Sequence, residues 1–217
     1  MSLFDTQFED LPNILPIFPL TGALLLPRGN LPLNIFEPRY LNMIEDALAN
    51  DRIIGMIQAE NPDDKSDQPI LYQMGCAGRI THFEETDDGR FLISLKGVCR
   101  FNKIEELPLR QGYRTIKVDW TAFKNDMTVP SDEQIDRTSL FKMLESYFSH
   151  QGLEAKWGSL DNAPDERLIN SLAMICPFNP VEKQALLEAS SLKERADILN
   201  TLLEMAALGD DINTSRQ

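Results

Sequence analysis

The sequence predicts an α+β fold in which a β pseudo-barrel with one inserted helix is followed by a C-terminal α-helical bundle. Three observations predict it. Short apolar runs bounded by Pro, Gly and Asn fill the first 120 residues, as strands do. After Trp120 the apolar period lengthens to about 3.6, the spacing of helices packed on one face. Pro130 stands near this change and marks a seam. The expected boundaries are 11–122 for the barrel and 131–208 for the bundle, with flexible tails at 1–10 and 209–217.

In chain order, Leu15-Pro16-Ile17-Phe18 is the first strand run. Pro38 suits a first helical position, and Leu41, Ile44, Ala47 and Leu48 share one face, giving a helix that plugs or flanks the barrel. Ile53 to Ile57 is a further apolar strand, and the polar, proline-bracketed stretch Asn61 to Pro69 reads as a mobile surface loop. Gly75 to Thr81 and Arg90 to Leu95 form a hairpin through Asp87-Asp88-Gly89, where glycine supplies the positive φ of the turn. Tyr113 to Val118 alternates with period two. Ser131 with Gln134 can box the start of a helix bearing Ile135, Leu140, Leu144 and Tyr147, which Gly152 stops. Asp165 can cap a run with Leu168, Leu172 and Ile175, ended by Pro177. Asn179-Pro180 with Glu182 opens the next helix, and Ser191 with Glu194 opens the last, through Leu199, Leu202 and Leu203.

The formal net charge of −13 is spread over both halves, so a phosphate backbone meets repulsion and nucleic acid is not expected as a partner. No membrane association is expected either. The start Met1-Ser2-Leu3-Phe4-Asp5 lacks the pattern of a signal peptide, and the apolar stretch from Ile14 to Pro27 is broken by Pro16, Pro19 and Gly22. Cys76, Cys99 and Cys176 are too few and too scattered for a disulfide framework, which fits a reducing, cytoplasmic setting. Cys76 and Cys99 can face each other on neighbouring strands.

The patterns of catalysis are missing. No Gly-Lys dipeptide exists to end a phosphate loop, and no G-x-G-x-x-G can be traced. The two histidines, His82 and His150, lie on different predicted elements, and His82-Phe83-Glu84 lacks the Pro-Cys-x-x-Cys that a zinc deaminase requires, so no metal site is expected. Ser94 and Lys96 share a strand face, but a solvated face explains them better than a Ser–Lys pair. Glu84-Glu85 and Asp87-Asp88 crowd a hairpin tip and read as a solvated turn. The expectation is a chain with no catalytic residues and no cofactor.

The segments Phe18-Pro19-Leu20, Leu31 to Tyr40, Met74 to Ile80, Leu92 to Phe101, Tyr113-Arg114 and Pro180 to Glu188 follow one another in an order that resembles the Lon protease N-terminal domain family, in particular its stand-alone bacterial members. The resemblance runs from about Leu11 to Leu208. It implies a PUA-like pseudo-barrel followed by a helical bundle, used to engage protein substrates, without the ATPase and peptidase domains. The implied partners are protein or peptide clients, with an ATP-dependent protease as a candidate; oligomeric state stays open.

Within Phe36-Glu37-Pro38-Arg39-Tyr40, Glu37 stands where it can cap a helix and meet its dipole, and Arg39 and Tyr40 project from the first turn. Arg39 paired with a carboxylate and Tyr40 packed is the stronger reading. The functional one joins Phe36, Glu37, Arg39 and Tyr40 with Leu24, Leu25 and Leu26 in a peptide-binding surface. Two other functions stay open: RNA binding through a PUA-like fold, which a basic stripe within the acidic surface would favour, and small-molecule binding in a cleft between barrel and bundle.

Overall fold

The computed structural model describes residues 6–64, 66–129, 135–150 and 163–214. It divides into two compact units, Met1–Val129 and Pro130–Gln217.

The first unit opens with a single 3-10 turn, Phe8–Asp10, and then builds a mixed sheet of six strands. These are β1 (Ile14–Pro19), β2 (Asn30–Ile35), β3 (Ile53–Ile57), β4 (Met74–Glu85), β5 (Phe91–Arg110) and β6 (Tyr113–Asp119). The order across the sheet is β2-β5-β4-β3-β1-β6, and β6 pairs again with β5. That last pairing turns the sheet back on itself as an irregular pseudo-barrel, with β2 laid on the outside of the ring. Strand β5 makes it possible by its length: its first half pairs with β2 and β4, its second half with β6. Register shifts between Ala77 and Gly78 and between Lys103 and Glu105 bend the ladders there, as bulges do.

β1 and β3 are parallel, so the chain between them has to cross over, and helix α1 (Pro38–Ala49) lies in that crossover. Pro38 occupies the first turn as expected, but the buried face is Tyr40, Met43, Ile44 and Ala47, while Leu41 and Leu48 are only half-buried. The stripe is rotated because Tyr40 is drawn inward against Phe18, with ring centroids 4.3 Å apart.

The β4–β5 hairpin turns where the sequence expects. Gly89 has φ +78° and donates to the Thr86 carbonyl at 2.9 Å. The barrel core includes Leu15, Ile17, Ile53, Phe101, Ile116 and Trp120, and the Trp120 indole donates to the Pro12 carbonyl at 3.1 Å. Cys99 belongs to this core and pairs in register with Ala77, whereas Cys76 stands opposite Arg100. Side chains alternate along a strand, so Cys76 and Cys99 lie on opposite faces of the sheet and do not face each other.

After β6 a 3-10 segment, Thr121–Met127, returns along the barrel and delivers Asp126 to the interior. There Asp126 meets Arg100: Nε and one terminal guanidinium nitrogen each donate at 2.9 Å, and the Arg100 backbone N–H donates at 3.0 Å. All three of these donors come from one residue of β5, so the 3-10 segment is pinned to that strand.

The second unit contains α2 (Arg137–His150), α3 (Asp165–Ile175), α4 (Pro180–Glu188) and α5 (Leu192–Thr214). The expected cap pair Ser131 and Gln134, and the stop at Gly152, lie outside the described residues. Asp136 caps α2, its carboxylate accepting from the Ser139 N–H at 3.1 Å. Leu140, Leu144 and Tyr147 form the buried stripe of α2, while Ile135 precedes the helix and is half-buried. Asp165 is the first residue of α3 and not its cap, and it binds Arg137 at 2.6 Å. Ile175 is 79% exposed and Ile169 and Ala173 fill the buried face instead, because the buried face is centred between Leu172 and Ile169 and the helical turn of about 100° per residue leaves Ile175 at its edge. Asn179 and Glu182 form the expected capping box. The Ser191 hydroxyl accepts from the Glu194 N–H at 3.1 Å. Helix α5 buries Leu199 and Leu203 and runs across Gly209 to Thr214.

Candidate functional site

The residues singled out at the entrance to α1 divide into a buried set and an exposed one. Leu24, Leu25 and Leu26 are all buried, which corrects their expected place on an accessible surface. They close one side of the barrel against β4 and β5: a Cβ on Gly78 would fall 2.7 Å from Leu25 Cδ2, and one on Gly97 would fall 2.0 Å from the Leu26 carbonyl oxygen. Hydrophobic burial wins here because two glycines let the segment press flat onto the sheet.

Phe36, one residue beyond the end of β2, is 62% exposed, with the Arg90 guanidinium 5.9 Å from its ring. An aromatic side chain this open, beside a cation, is the apolar feature of the corner. Glu37 occupies the N-cap position of α1 yet makes no side-chain cap bond. Its carboxylate instead accepts from Arg39, at 3.0 Å from Nε and 2.9 Å from a terminal nitrogen. The helix start is served by Pro38, which has no N–H to satisfy, and by the Glu37 carbonyl, which accepts from Tyr40 and Leu41.

Arg39 lies over the Tyr40 ring at 4.8 Å, and Asp67 approaches it at 4.0 Å. Tyr40 does not project outward: it is buried against Phe18. Burial pushes its hydroxyl above the usual tyrosine range, while the neighbouring Arg39 pulls the other way. The structure therefore brings Phe36, Glu37, Arg39 and Tyr40 together and leaves the three leucines in the core. The corner offers one open aromatic ring next to an internally neutralised ion pair.

At its other end α1 is tied to the turn after β5. Asp46 accepts from the Tyr113 hydroxyl at 2.6 Å and pairs with Arg110 at 3.1 Å, and Asn42 donates to the Gln111 carbonyl at 3.1 Å. Burial and the bond to Asp46 push Tyr113 up to about 12. These bonds hold the helix, and so the corner, in a fixed orientation on the barrel.

Burial pushes Cys99 up to about 12 and Cys176 to about 11, so both are neutral thiols near pH 7 and poor nucleophiles. His82 and Glu84 are both exposed and 3.7 Å apart. Among the described residues no group of three His, Cys, Asp or Glu side chains is placed to hold a metal ion, and no helix is long and apolar enough to cross a membrane.

Sequence reasoning missed a second feature of the barrel unit. An open groove of about 620 Å³ runs between the N-terminal stretch, the β4–β5 ladder and the 3-10 segment after β6, and Arg28, Arg79, Lys96 and Lys124 line it. No sequence window holds two of these cations together.

A family model described as the ATP-dependent protease La (LON) substrate-binding domain matches residues 14–205. Among curated proteins the chain is similar to a Lon protease of Dictyoglomus thermophilum, 27% identical over 87% of this chain and 24% of that protein. It is also similar to Lon protease 2 of Myxococcus xanthus, 26% identical over 95% of this chain and 26% of that protein. The chain thus spans about a quarter of the length of these relatives. Among solved structures, a Lon N-terminal domain protein from Xanthomonas campestris superposes with a TM-score of 0.60 at 22% identity, covering 87% of this chain and 97% of that one. The N-terminal domain of a Mycobacterium avium complex Lon protease gives 0.57 at 16% identity, covering 88% and 98%.

Proposed function

The chain belongs to the ATP-dependent protease La (LON) substrate-binding domain family, and from that premise we propose that it is a non-catalytic module that binds protein or peptide segments in the cytoplasm. The observation that carries this reading is the extent of the family match, residues 14–205, which takes in both compact units. Its clients are unfolded segments with exposed apolar side chains, and an ATP-dependent protease is its working partner.

The Phe36 to Tyr40 corner suits such a role physically. An open aromatic ring supplies contact area at low conformational cost, and the Glu37–Arg39 pair beside it leaves no net charge to repel an apolar segment. Equilibrium binding of a fluorescently labelled, chemically unfolded client, read by anisotropy, tests the reading. Phe36→Ala is expected to weaken binding by roughly tenfold, the effect of losing one aromatic anchor. Failure of the unaltered protein to bind any of several unfolded clients overturns it.

A further inference from the structure

Among the described residues of the barrel unit, many cations are matched. Arg39 is paired with Glu37, Arg90 with Asp88, Arg100 with Asp126, Arg110 with Asp46, Arg114 with Glu106 and Lys117 with Glu105. With 34 Asp and Glu against 21 Lys and Arg, a cation has no shortage of partners. Arg79, Lys96 and Lys124 depart from this pattern: no described carboxylate lies within ion-pair distance of any of them. All three line the same groove.

Their clustering is built by the fold. Arg79 and Lys96 stand directly opposite each other on β4 and β5, an arrangement of like charges that costs stability unless something anionic lies between them. Arg79 is steered by a 2.9 Å bond from its Nε to the Thr6 hydroxyl, which also fastens the N-terminal stretch as one wall. Lys124, from the 3-10 segment after β6, sits 5.5 Å above the Phe8 ring. Arg28 joins them from a backbone with φ +63°, a conformation that a non-glycine residue adopts only under constraint. The constraint is visible: its N–H donates to the Gly97 carbonyl at 2.8 Å, and its guanidinium donates to the Asp126 carbonyl.

Two carboxylates share the groove, Glu9 and Asp126. Asp126 is turned inward and answered by Arg100, so Glu9 on the exposed wall is the acid that faces an incoming ligand. Between the cations lie Phe8, Val98, Met127 and Val129, which give apolar contact along the same path.

We infer that this groove is a docking site for a short acidic protein segment, one that alternates carboxylates with apolar side chains. The inference rests on the reading that the chain binds protein segments, and it adds the chemistry of one class of segment and a place for it away from the Phe36 corner. The net charge of −13 decides between a peptide and a polynucleotide. At physiological salt the Debye length is about 8 Å, so a short segment seated in the groove feels mainly the nearby cations, Arg79, Lys96 and Lys124. A polynucleotide continues beyond the groove, where its phosphates run along an acidic surface.

The test uses three labelled probes of equal length in anisotropy titrations with the full chain: a Glu/Leu peptide, a Lys/Leu peptide and a single-stranded oligonucleotide. The Glu/Leu peptide is expected to bind, and Lys96→Glu and Lys124→Glu to weaken it at least tenfold each while Lys142→Glu, an exposed charge reversal outside the groove, leaves it unchanged. Both groove lysines are exposed, so the variants keep the fold, and circular dichroism checks this. The double reversal is expected to bind the Lys/Leu peptide instead. Unaltered affinity in both groove charge-reversal variants overturns the inference, and so does tighter binding of the oligonucleotide than of the acidic peptide. If unfolded clients bind and the Glu/Leu peptide does not, the groove alone is refuted; if neither binds, the underlying reading falls with it.

Discussion

The β unit and the helical unit place their polar interactions at different distances along the chain. In the β unit, Trp120 bonds to Pro12 across 108 positions, Arg28 to Asp126 across 98 and Tyr113 to Asp46 across 67. In the helical unit the capping bonds join residues three apart, Asn179 with Glu182 and Ser191 with Glu194. Its longer bonds, Arg137 to Asp165 and Arg195 to Asn170, span 28 and 25 positions. Closing a long loop costs entropy before any contact repays it, so the β unit concentrates its stability in a few contacts with no local substitute. The helical unit spreads it over many small, separable terms.

Substitutions can break or sharpen this contrast. The largest effect is expected from Asp126→Ala, which removes the carboxylate from the buried Arg100 guanidinium, at a cost of about 3–5 kcal/mol. Amide exchange read by mass spectrometry should then speed up across β4, β5 and β6 together. Exchange confined to the segment from Thr121 to Met127 would show that the pair is only a local clasp. Replacing both partners, as Arg100→Met with Asp126→Leu, is expected to cost much less than Asp126→Ala, because no charge is then stranded.

Gly97→Ala comes next. Its Cβ would fall 2.0 Å from the Leu26 carbonyl oxygen, and the backbone must move, costing about 3 kcal/mol, the upper end for overpacking. Urea unfolding followed by circular dichroism measures it, and a loss well under 1 kcal/mol would mean that the Leu24 to Pro27 segment yields easily. Asn179→Ala, which removes half of a capping box in the helical unit, is expected to cost only about 1 kcal/mol. Its exchange signature should stay within α4. Spread over the whole unit would erase the proposed difference between the two regions.

The smallest effect concerns acid. Glu106 is penalised by partial burial, yet the Arg114 guanidinium and Lys103 outweigh this and hold its carboxyl below the ordinary glutamate value. A lowered folded pKa means that the stabilisation is present above pH 4.5 and is lost as pH falls from there through the lowered value. Glu106→Gln should therefore lower stability slightly at neutral pH and flatten the fall in melting temperature below pH 4.5. An unchanged acid limb would show that the Arg114 bond to the Pro69 carbonyl, at 2.9 Å, carries that contact by itself.

The legibility of the chain follows the same divide. Gly89 at the hairpin tip, Pro38 at the helix start, the capping box at Asn179 and the Ser191 cap could be read directly, because each signal and its partner lie within four residues. Facing was read less well. The stripe of α1 was displaced toward Tyr40 by Phe18, 22 positions earlier, Ile175 fell outside its helix core, and Glu37 gave up its capping role to hold Arg39. For Tyr40 a partner outside the local window decided which way the side chain points, and for Glu37 a partner two residues away won over the cap.

By itself, then, the sequence determined most of the strands and helices, the hairpin turn at Gly89, the caps at Asn179 and Ser191, and the ordered segments that mark the family, since all of these rest on short-range periodicity and backbone preference. The tertiary structure alone decided that Leu24, Leu25 and Leu26 are interior, that Arg100 and Asp126 answer each other, and that Arg28, Arg79, Lys96 and Lys124 meet in one groove. Charge and hydrophobicity are properties of a residue, but burial and neighbourhood are properties of the pairing of β4 with β5 and of the segments pressed against it. No window along the chain contains that pairing.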